Sequence, residues 1–289
     1  MNIKQFRRNS SRLLVVAMLA GCSTTGGPDI SHMSFSDEPL VGKFVWYDLI
    51  TDDAEAARRF YGALFGWTFE ETTGPNGNDY VLVRSDGVYI GGIVARPDPP
   101  DGAEVSRWLP YVSVADVDAS VEGAVSGRGE VVVAPLDVRL GRVSVIVDPE
   151  GAALGLARCS IGDPDDATTA AAPGRVVWTE LLAGDESGAA SFYKAVVGYD
   201  VETIERRGGS YTLLSVGGVD RAGILLNPTD WNPQWLTYFG VVDPAAAAAR
   251  AADLGGKVLL EPTPEVREGT MALVTDPSGA VLALQKSTS

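Results

Sequence analysis

Hydrophobic and polar residues alternate along residues 43–50, which is the two-residue period of a β-strand. Just beyond this segment, Ala57, Phe60, Tyr61 and Leu64 recur at the spacing of one helical face, so the pattern predicts an amphipathic helix. Three more strand-like segments follow before residue 95. The first part of the chain therefore predicts the order strand, helix and three strands.

The same order begins again near residue 108. A strand pattern covers residues 108–114, a helical pattern covers 116–126, and three strand patterns lie between 130 and 158. The last two strands are joined by Asp-Pro-Glu-Gly at 148–151, whose Asp, Pro and Gly occupy the positions that a type I turn favours. Two strand-helix-three-strand modules are thus predicted within one unit.

The whole unit is duplicated in the sequence. Residues 42–67 align without a gap to residues 174–199, and ten of the 26 positions are identical. The correspondence continues to the second copy of the turn, Asp-Pro-Ser-Gly, at 276–279. Because similarity in this order indicates duplication, we predict one domain at 42–158 and a second at 174–286. A linker is predicted at 159–173.

The N-terminal segment has the features of a processing signal. A basic start is followed by eight apolar residues at 13–20, too few to span a bilayer, and then by Leu-Ala-Gly-Cys ending at Cys22. This resembles the bacterial lipobox, which implies removal of residues 1–21 and lipidation of Cys22. We therefore predict a lipid-anchored protein of the bacterial cell envelope, at the outer membrane facing the periplasm, with residues 22–41 as a flexible tether. Sec and twin-arginine export both remain open.

Composition narrows the range of functions. Residues 1–21 carry four basic and no acidic residues, so their removal takes the net charge from −15 to −19. Such acidity argues against nucleic acid as a partner and limits membrane contact to the lipid. With two cysteines, of which Cys22 is the predicted lipidation site, no internal disulfide is expected. The single histidine, His32, lies in the predicted tether and outside both domains.

The combined motifs resemble a known superfamily. Both copies contain Trp-x-[Asp/Glu]-Leu, then Asp followed after six residues by Phe-Tyr and Gly-[Trp/Tyr], and finally Asp-Pro-x-Gly. This order resembles the glyoxalase/bleomycin-resistance/extradiol-dioxygenase family, the vicinal oxygen chelate superfamily. The resemblance implies an α+β fold with tandem domains. Each domain would contain two βαβββ modules whose curled mixed sheet forms a cup, with the helices outside.

Enzymes of that superfamily hold a divalent metal in the cup through His, Glu or Gln. The resemblance places two of the ligand positions at Trp46 and Gly155 in the first domain, and at Trp178 and Ala283 in the second. The remaining ligand position falls in the strand that opens the second module, at 109–111 and 236–238, which contains no His or Glu. The side chains at the first two positions are those of Trp, Gly and Ala, and an indole, a hydrogen atom or a methyl group does not bind a divalent metal. We therefore predict no metal and no cofactor.

Strand alternation indicates which side chains line the first cup. If Trp46 faces the cup, Asp48 faces it too, whereas Val45, Tyr47 and Leu49 pack under the helices. The equivalent residues of the second domain follow the same rule, and small residues on the last strands, Gly155 among them, are expected to leave room for a guest. The predicted ligand-binding residues are Trp46, Asp48, Tyr80, Trp178, Glu180, Tyr211 and Gln285.

These residues suit an aromatic or cationic small molecule, through stacking and cation–π attraction. The favoured hypothesis is a lipid-anchored, metal-independent protein that binds a small molecule. One alternative is an enzyme of the lyase, isomerase or dioxygenase type with Asp48 or Glu180 as general base. Another is an envelope scaffold, in which the tryptophans fill collapsed cups and the acids pair with Arg84, Arg158 or Arg175. The sequence leaves the ligand and the oligomeric state open.

Overall fold

A computed structural model describes residues 30–31, 33–74, 79–96, 106–166, 172–206, 209–228 and 231–287. Cys22 and His32 lie outside the described residues. The first domain consists of β1 (Phe44–Thr51), α1 (Ala54–Phe65), β2 (Thr68–Thr73), β3 (Asp79–Ser85), β4 (Val88–Ala95), β5 (Arg107–Ser113), α2 (Val117–Ser126), β6 (Glu130–Val138), β7 (Gly141–Val147) and β8 (Ala153–Cys159).

The second domain repeats this order. Its elements are β9 (Val176–Ala183), α3 (Glu186–Val197), β10 (Asp200–Arg206), β11 (Gly209–Val216), β12 (Val219–Leu226), β13 (Gln234–Val241), α4 (Pro244–Asp253), β14 (Lys257–Leu260), β15 (Met271–Thr275) and β16 (Val281–Lys286). A short 3-10 turn, Arg267–Gly269, precedes β15.

Each domain forms one eight-stranded mixed sheet from its two modules. The strand orders are β2-β3-β4-β1-β5-β8-β7-β6 and β10-β11-β12-β9-β13-β16-β15-β14. The first strand of each domain lies at the centre, parallel to the last strand of its own module and antiparallel to the first strand of the next. The predicted α+β fold with two βαβββ modules per domain is confirmed.

Helix boundaries follow from local capping. The side chains of Asp53, Asp116, Asp185 and Asp243 each accept a backbone N–H in the first turn of the helix that follows. α1 and α3 both end at a glycine with positive φ, and Gly66 has a φ of 73°. That left-handed conformation costs least for a residue without Cβ.

The two domains share one hydrophobic core. A single cluster of buried side chains contains residues of both, and α1 packs on α4 while α2 packs on α3. Hydrogen bonds across this interface come in equivalent pairs. Tyr61 donates to Asp276 at 3.2 Å, and Tyr193 donates to Asp148 at 2.9 Å. The domains are therefore related by an approximate two-fold axis.

The repeated sequence motifs supply these bonds. Within each domain an indole holds the bridging tyrosine: Trp108 Nε1 donates to the Tyr61 hydroxyl at 3.1 Å, and Trp235 Nε1 donates to that of Tyr193 at 3.1 Å. Trp67 Nε1 donates to the carbonyl of Gly174 at 2.7 Å, and Tyr199 donates to that of Gly42 at 2.7 Å. The Phe-Tyr, Gly-[Trp/Tyr] and Asp-Pro-x-Gly motifs thus hold the domains together.

Part of the predicted tether is packed on the protein. Ser36 N donates to Asp163 O at 2.8 Å, and Leu40 N donates to the Asp163 carboxylate at 2.7 Å. Phe35 and Pro164 form an isolated β-bridge. Residues 33–40 of the predicted tether thus lie against the linker, which offers them hydrogen-bond partners. None of the described helices is long and apolar enough to cross a membrane.

Candidate functional site

The central strand of the first domain separates two faces as its alternation predicted, with one exception. Tyr47 and Leu49 belong to the core shared by the domains, whereas Trp46 packs with Tyr80 on the opposite, cup face. Val45 also packs on the cup face, so its predicted place under the helices is wrong. The register between β1 and β5 shifts there by a β-bulge, which breaks the two-residue period.

The first cup is closed by its own side chains around Asp48. The carboxylate is 0% exposed, and its Oδ1 accepts hydrogen bonds from Trp46 Nε1 at 2.9 Å and from Tyr80 OH at 2.7 Å. Burial, and then the negative charge of Asp48, raise the pKa of Tyr80 and that of Tyr111 well above their usual value. Both phenols therefore stay protonated, and Tyr80 donates its proton to Asp48.

Glycines seat these tyrosines against the sheet. A Cβ on Gly92 would lie 1.8 Å from Tyr80 OH, and one on Gly155 would lie 2.1 Å from the ring of Tyr111. The space that Gly155 was expected to leave for a guest is thus occupied by Tyr111. Met33, from the segment before the domain, also packs against this cluster. In the first domain, the alternative of a cup filled by its own side chains describes the structure.

The second cup is built on an ion pair. Glu180 is 1% exposed, and its two oxygens accept from Arg267 Nη2 at 2.6 Å and from Tyr238 OH at 2.5 Å. The Arg267 guanidinium also lies over the ring of Tyr238, 4.8 Å from its centroid. Trp178 Nε1 donates to Tyr211 OH at 2.9 Å. Burial, and then the charge of Glu180, raise the pKa of Tyr211 above its usual value.

The sequence pattern did not single out Arg267, and other arginines were expected to pair with Asp48 and Glu180. Arg84 pairs with Glu70 instead. Arg267 reaches Glu180 from the 3-10 turn, where it has a φ of 46° and the next residue a φ of 56°. Non-glycine residues rarely adopt such angles, and they do so mainly where surrounding structure imposes them. Alignment of the two copies was the available signal, since Arg139 precedes its turn motif by the same nine residues.

The two cups differ because these arginines differ in position. Arg139 is exposed in the turn between β6 and β7, whereas Arg267 points inward. The second cup is also less buried. Its buried residues are surrounded by half-buried apolar side chains. The buried residues are Leu182, Leu236, Tyr238, Met271 and Ala283, and the half-buried ones are Val177, Trp178, Leu225, Trp231, Val266, Leu273 and Val281.

Gln285 lies at the edge of this second cup. Its Nε2 donates to the carbonyl of Thr270 at 2.9 Å and to the hydroxyl of the same residue at 3.1 Å. Its Oε1 is buried and has no hydrogen-bond partner among the described residues. The side chain therefore anchors the segment after the 3-10 turn and retains one acceptor.

The donor set at the family's metal positions does not fit a divalent ion. Trp46 pairs with Tyr111 across neighbouring strands, and Tyr111 pairs with Gly155. The second domain has Trp178, Tyr238 and Ala283 in the same places. Protonated phenols and indoles are poor ligands for such ions. Within the described residues, no group of three or more His, Cys, Asp or Glu side chains could hold a metal.

The chain matches one superfamily model over both domains and is similar to curated proteins of the same length range. The model of the Glyoxalase/Bleomycin resistance protein/Dioxygenase superfamily matches residues 43–156 and 175–284. "Putative glyoxylase CFP32" of Mycobacterium tuberculosis is 36% identical over 247 residues, which cover 83% of this chain and 93% of that protein. "Anthracycline biosynthesis protein DnrV" of Streptomyces peucetius is 32% identical over 253 residues, covering 83% and 91%.

Solved structures show the same fold at low sequence identity. The Mn(II)-bound glyoxalase from Novosphingobium aromaticivorans superposes with a TM-score of 0.59 at 16% identity, covering 86% of this chain and 83% of that one. The 2,2',3-trihydroxybiphenyl 1,2-dioxygenase from Sphingomonas wittichii superposes with a TM-score of 0.53 at 15% identity, covering 87% and 91%.

Proposed function

The chain belongs to the glyoxalase/bleomycin resistance protein/dioxygenase superfamily, and from that premise we propose that it is a lipid-anchored, metal-independent protein that binds an aromatic small molecule in its second cup. The observation that carries this proposal is the contrast between the cups. The first is sealed around Asp48, whereas the second presents half-buried aromatic and aliphatic side chains beside a neutralised ion pair.

The ion pair between Glu180 and Arg267 determines which ligand charge the second cup favours. Arg267 already compensates Glu180, so a cationic ligand gains little from the carboxylate. Trp178 and Trp231 offer flat, partly exposed surface to an aromatic ring, and such contacts contribute about 0.5–1.5 kcal/mol each. Of the two ligand classes that the sequence suggested, the aromatic one is therefore preferred. That a relative is named for anthracycline biosynthesis is consistent with this choice.

Metal independence rests on the donor set. The three positions that would converge on a metal carry indole, phenol and a side chain no larger than methyl in both domains. Ligand binding should therefore depend on packing and hydrogen bonds alone. Lipid anchoring rests on the sequence at 1–22, and it implies an envelope location with the domains held at the membrane by the lipid.

The geometry gives less support to an enzyme. A general base needs access to its substrate, and Asp48 is fully buried with a saturated Oδ1. Glu180 is held by Arg267 and Tyr238. The first domain, with its filled cup, fits the scaffold role better, and we assign it a structural part in the two-domain unit.

The test uses quinizarin, a neutral planar dihydroxyanthraquinone, and proflavine, a planar cation of similar size, with affinities measured by isothermal titration calorimetry. Quinizarin should bind more tightly than proflavine. Trp178→Phe should weaken quinizarin binding by about fivefold, because roughly 1 kcal/mol of aromatic contact is lost.

Trp46→Phe is the matched control, since it makes the same change at the equivalent position of the closed cup. It should leave quinizarin affinity unchanged while lowering the melting temperature, because the buried indole N–H bond to Asp48 is lost. Failure of quinizarin to bind, or an equal loss of affinity in both variants, would refute the assignment of the second cup.

A further inference from the structure

A cavity of about 200 Å³ lies between the two domains, outside both sequence-predicted sets of cup residues except for Trp178. Equivalent residues of the two first strands line it from either side. Lys43 faces it from one domain and Arg175 from the other, and Tyr47 and Thr179 are joined there by a 3.0 Å hydrogen bond. The cavity therefore lies on the approximate two-fold axis.

Basic side chains dominate the polar part of its lining. Lys43, Arg175 and Arg221 line the cavity, against one acidic side chain, Asp220. Lys43 is 6% exposed and the Arg221 side chain 10% exposed, which is unusual for cations in so acidic a protein. A single carboxylate, Asp166, bridges both of them at 2.9 Å.

Arg221 places a buried donor at the cavity. Arg221 Nε is buried and makes no hydrogen bond within the described part of the chain. A buried donor without a partner costs about 1–3 kcal/mol, so the position favours an acceptor oxygen supplied from outside. Burial, as the largest cause, lowers the pKa of Lys43, and the nearby charge of Arg221 also lowers it. An anion in the cavity would relieve both effects.

The remaining walls are apolar. Phe44, Val45, Val88, Ile90 and Val176 line the cavity. A cavity of roughly 150 Å³ accommodates benzene, so this one has room for a six-membered ring with a small substituent. We propose that the interdomain cavity is a second binding site, and that it takes a small aromatic monocarboxylate whose carboxylate meets Arg221 while its ring packs against the apolar wall.

Benzoate is the probe, with neutral benzamide as the matched compound of nearly the same shape. At tenfold excess over its Kd, benzoate should raise the melting temperature of the full protein by about 2–4 °C, whereas benzamide should give a smaller shift. Arg221→Gln should weaken benzoate binding at least tenfold, because a charge-assisted hydrogen bond is lost. Arg206→Gln changes an arginine that does not line the cavity and should leave the affinity unchanged.

Val88→Phe fills the cavity with a larger side chain and keeps every charge, so it tests whether benzoate occupies the cavity itself. It should abolish benzoate binding in a folded protein. Equal shifts with benzamide and benzoate, full benzoate affinity in Arg221→Gln, or retained binding in Val88→Phe would each overturn the proposal. The cavity is tested with benzoate and the second cup with quinizarin, so failure of one assignment is distinguishable from failure of the other.

Discussion

The ion pair in the second cup gives the most quantitative prediction. Glu180 is 1% exposed and Arg267 31% exposed, with 2.6 Å between the charged atoms. Substitution Arg267→Met removes the cation and keeps much of the side-chain volume, which leaves a buried carboxylate without its charged partner. Breaking a buried pair in this way costs about 3–5 kcal/mol, and the partial exposure of Arg267 favours the lower value, about 3 kcal/mol.

A double-mutant cycle isolates the charge effect. In Glu180→Gln/Arg267→Met the amide oxygen can still accept from Tyr238, and no charge is buried, so the double variant should lose only ~1 kcal/mol. The assay is urea unfolding at neutral pH followed by tryptophan fluorescence. Arg206→Met, which removes an arginine lying over the ring of Tyr211, should cost less than about 1 kcal/mol.

The Arg267→Met substitution should also change which ligand the second cup prefers. With Arg267 removed, the charge of Glu180 is no longer compensated, so Arg267→Met should bind proflavine more tightly than the parent protein does. A loss of stability below about 1 kcal/mol, additive effects in the cycle, or unchanged proflavine affinity would show that the pair does not control the second cup.

Three further predictions concern the framework. Burial raises the pKa of Asp276 to about 6, above roughly 3.9 in the unfolded chain. The folded state therefore binds its proton more readily, and this contribution to stability is present at low pH and lost as the pH rises through 6. Between pH 7.5 and pH 4.5, protonation of Asp276 should add about 2 kcal/mol to the stability of the wild type, and Asp276→Asn should lack this gain; equal urea midpoint shifts in both would contradict it. Tyr193→Phe removes a hydroxyl that bonds across the domain interface and should cost about 1–3 kcal/mol in urea unfolding; an unchanged midpoint would argue against the reciprocal bonds. Gly155→Ala places a methyl group 2.1 Å from the ring of Tyr111 and should cost roughly 1–3 kcal/mol; a neutral effect would mean that the first cup has spare room.

The module order was predictable because it depends on local periodicity and caps. Asp53 and its counterparts accept the backbone N–H groups that the helix start leaves free, and the sequence shows them directly before each helical pattern. The family follows from the same motifs. These motifs recur because both domains contribute to the shared core, where Tyr61 of the first domain donates to Asp276 of the second. Periodicity alone could not show that the partner of Tyr61 lies in the other domain.

Within the site, three outcomes depended on long-range geometry. A β-bulge moved Val45 to the other face, and alternation carries no sign of such an insertion. The gap above Gly155 is filled by Tyr111 from the adjacent strand, so a small residue did not mean an open cavity. Arg267 meets Glu180 across 87 residues through a turn with unusual backbone angles, which no local pattern encodes.

The central claim is ligand binding by the second cup without a metal, and one titration tests it most directly. Quinizarin affinity is measured by calorimetry on the full protein before and after exhaustive treatment with a chelator, and again after addition of Mn²⁺. We predict the same Kd in all three samples, since Trp178, Tyr238 and Ala283 offer a divalent ion no suitable donor set. Binding that is lost on chelation and restored by Mn²⁺ would contradict the claim.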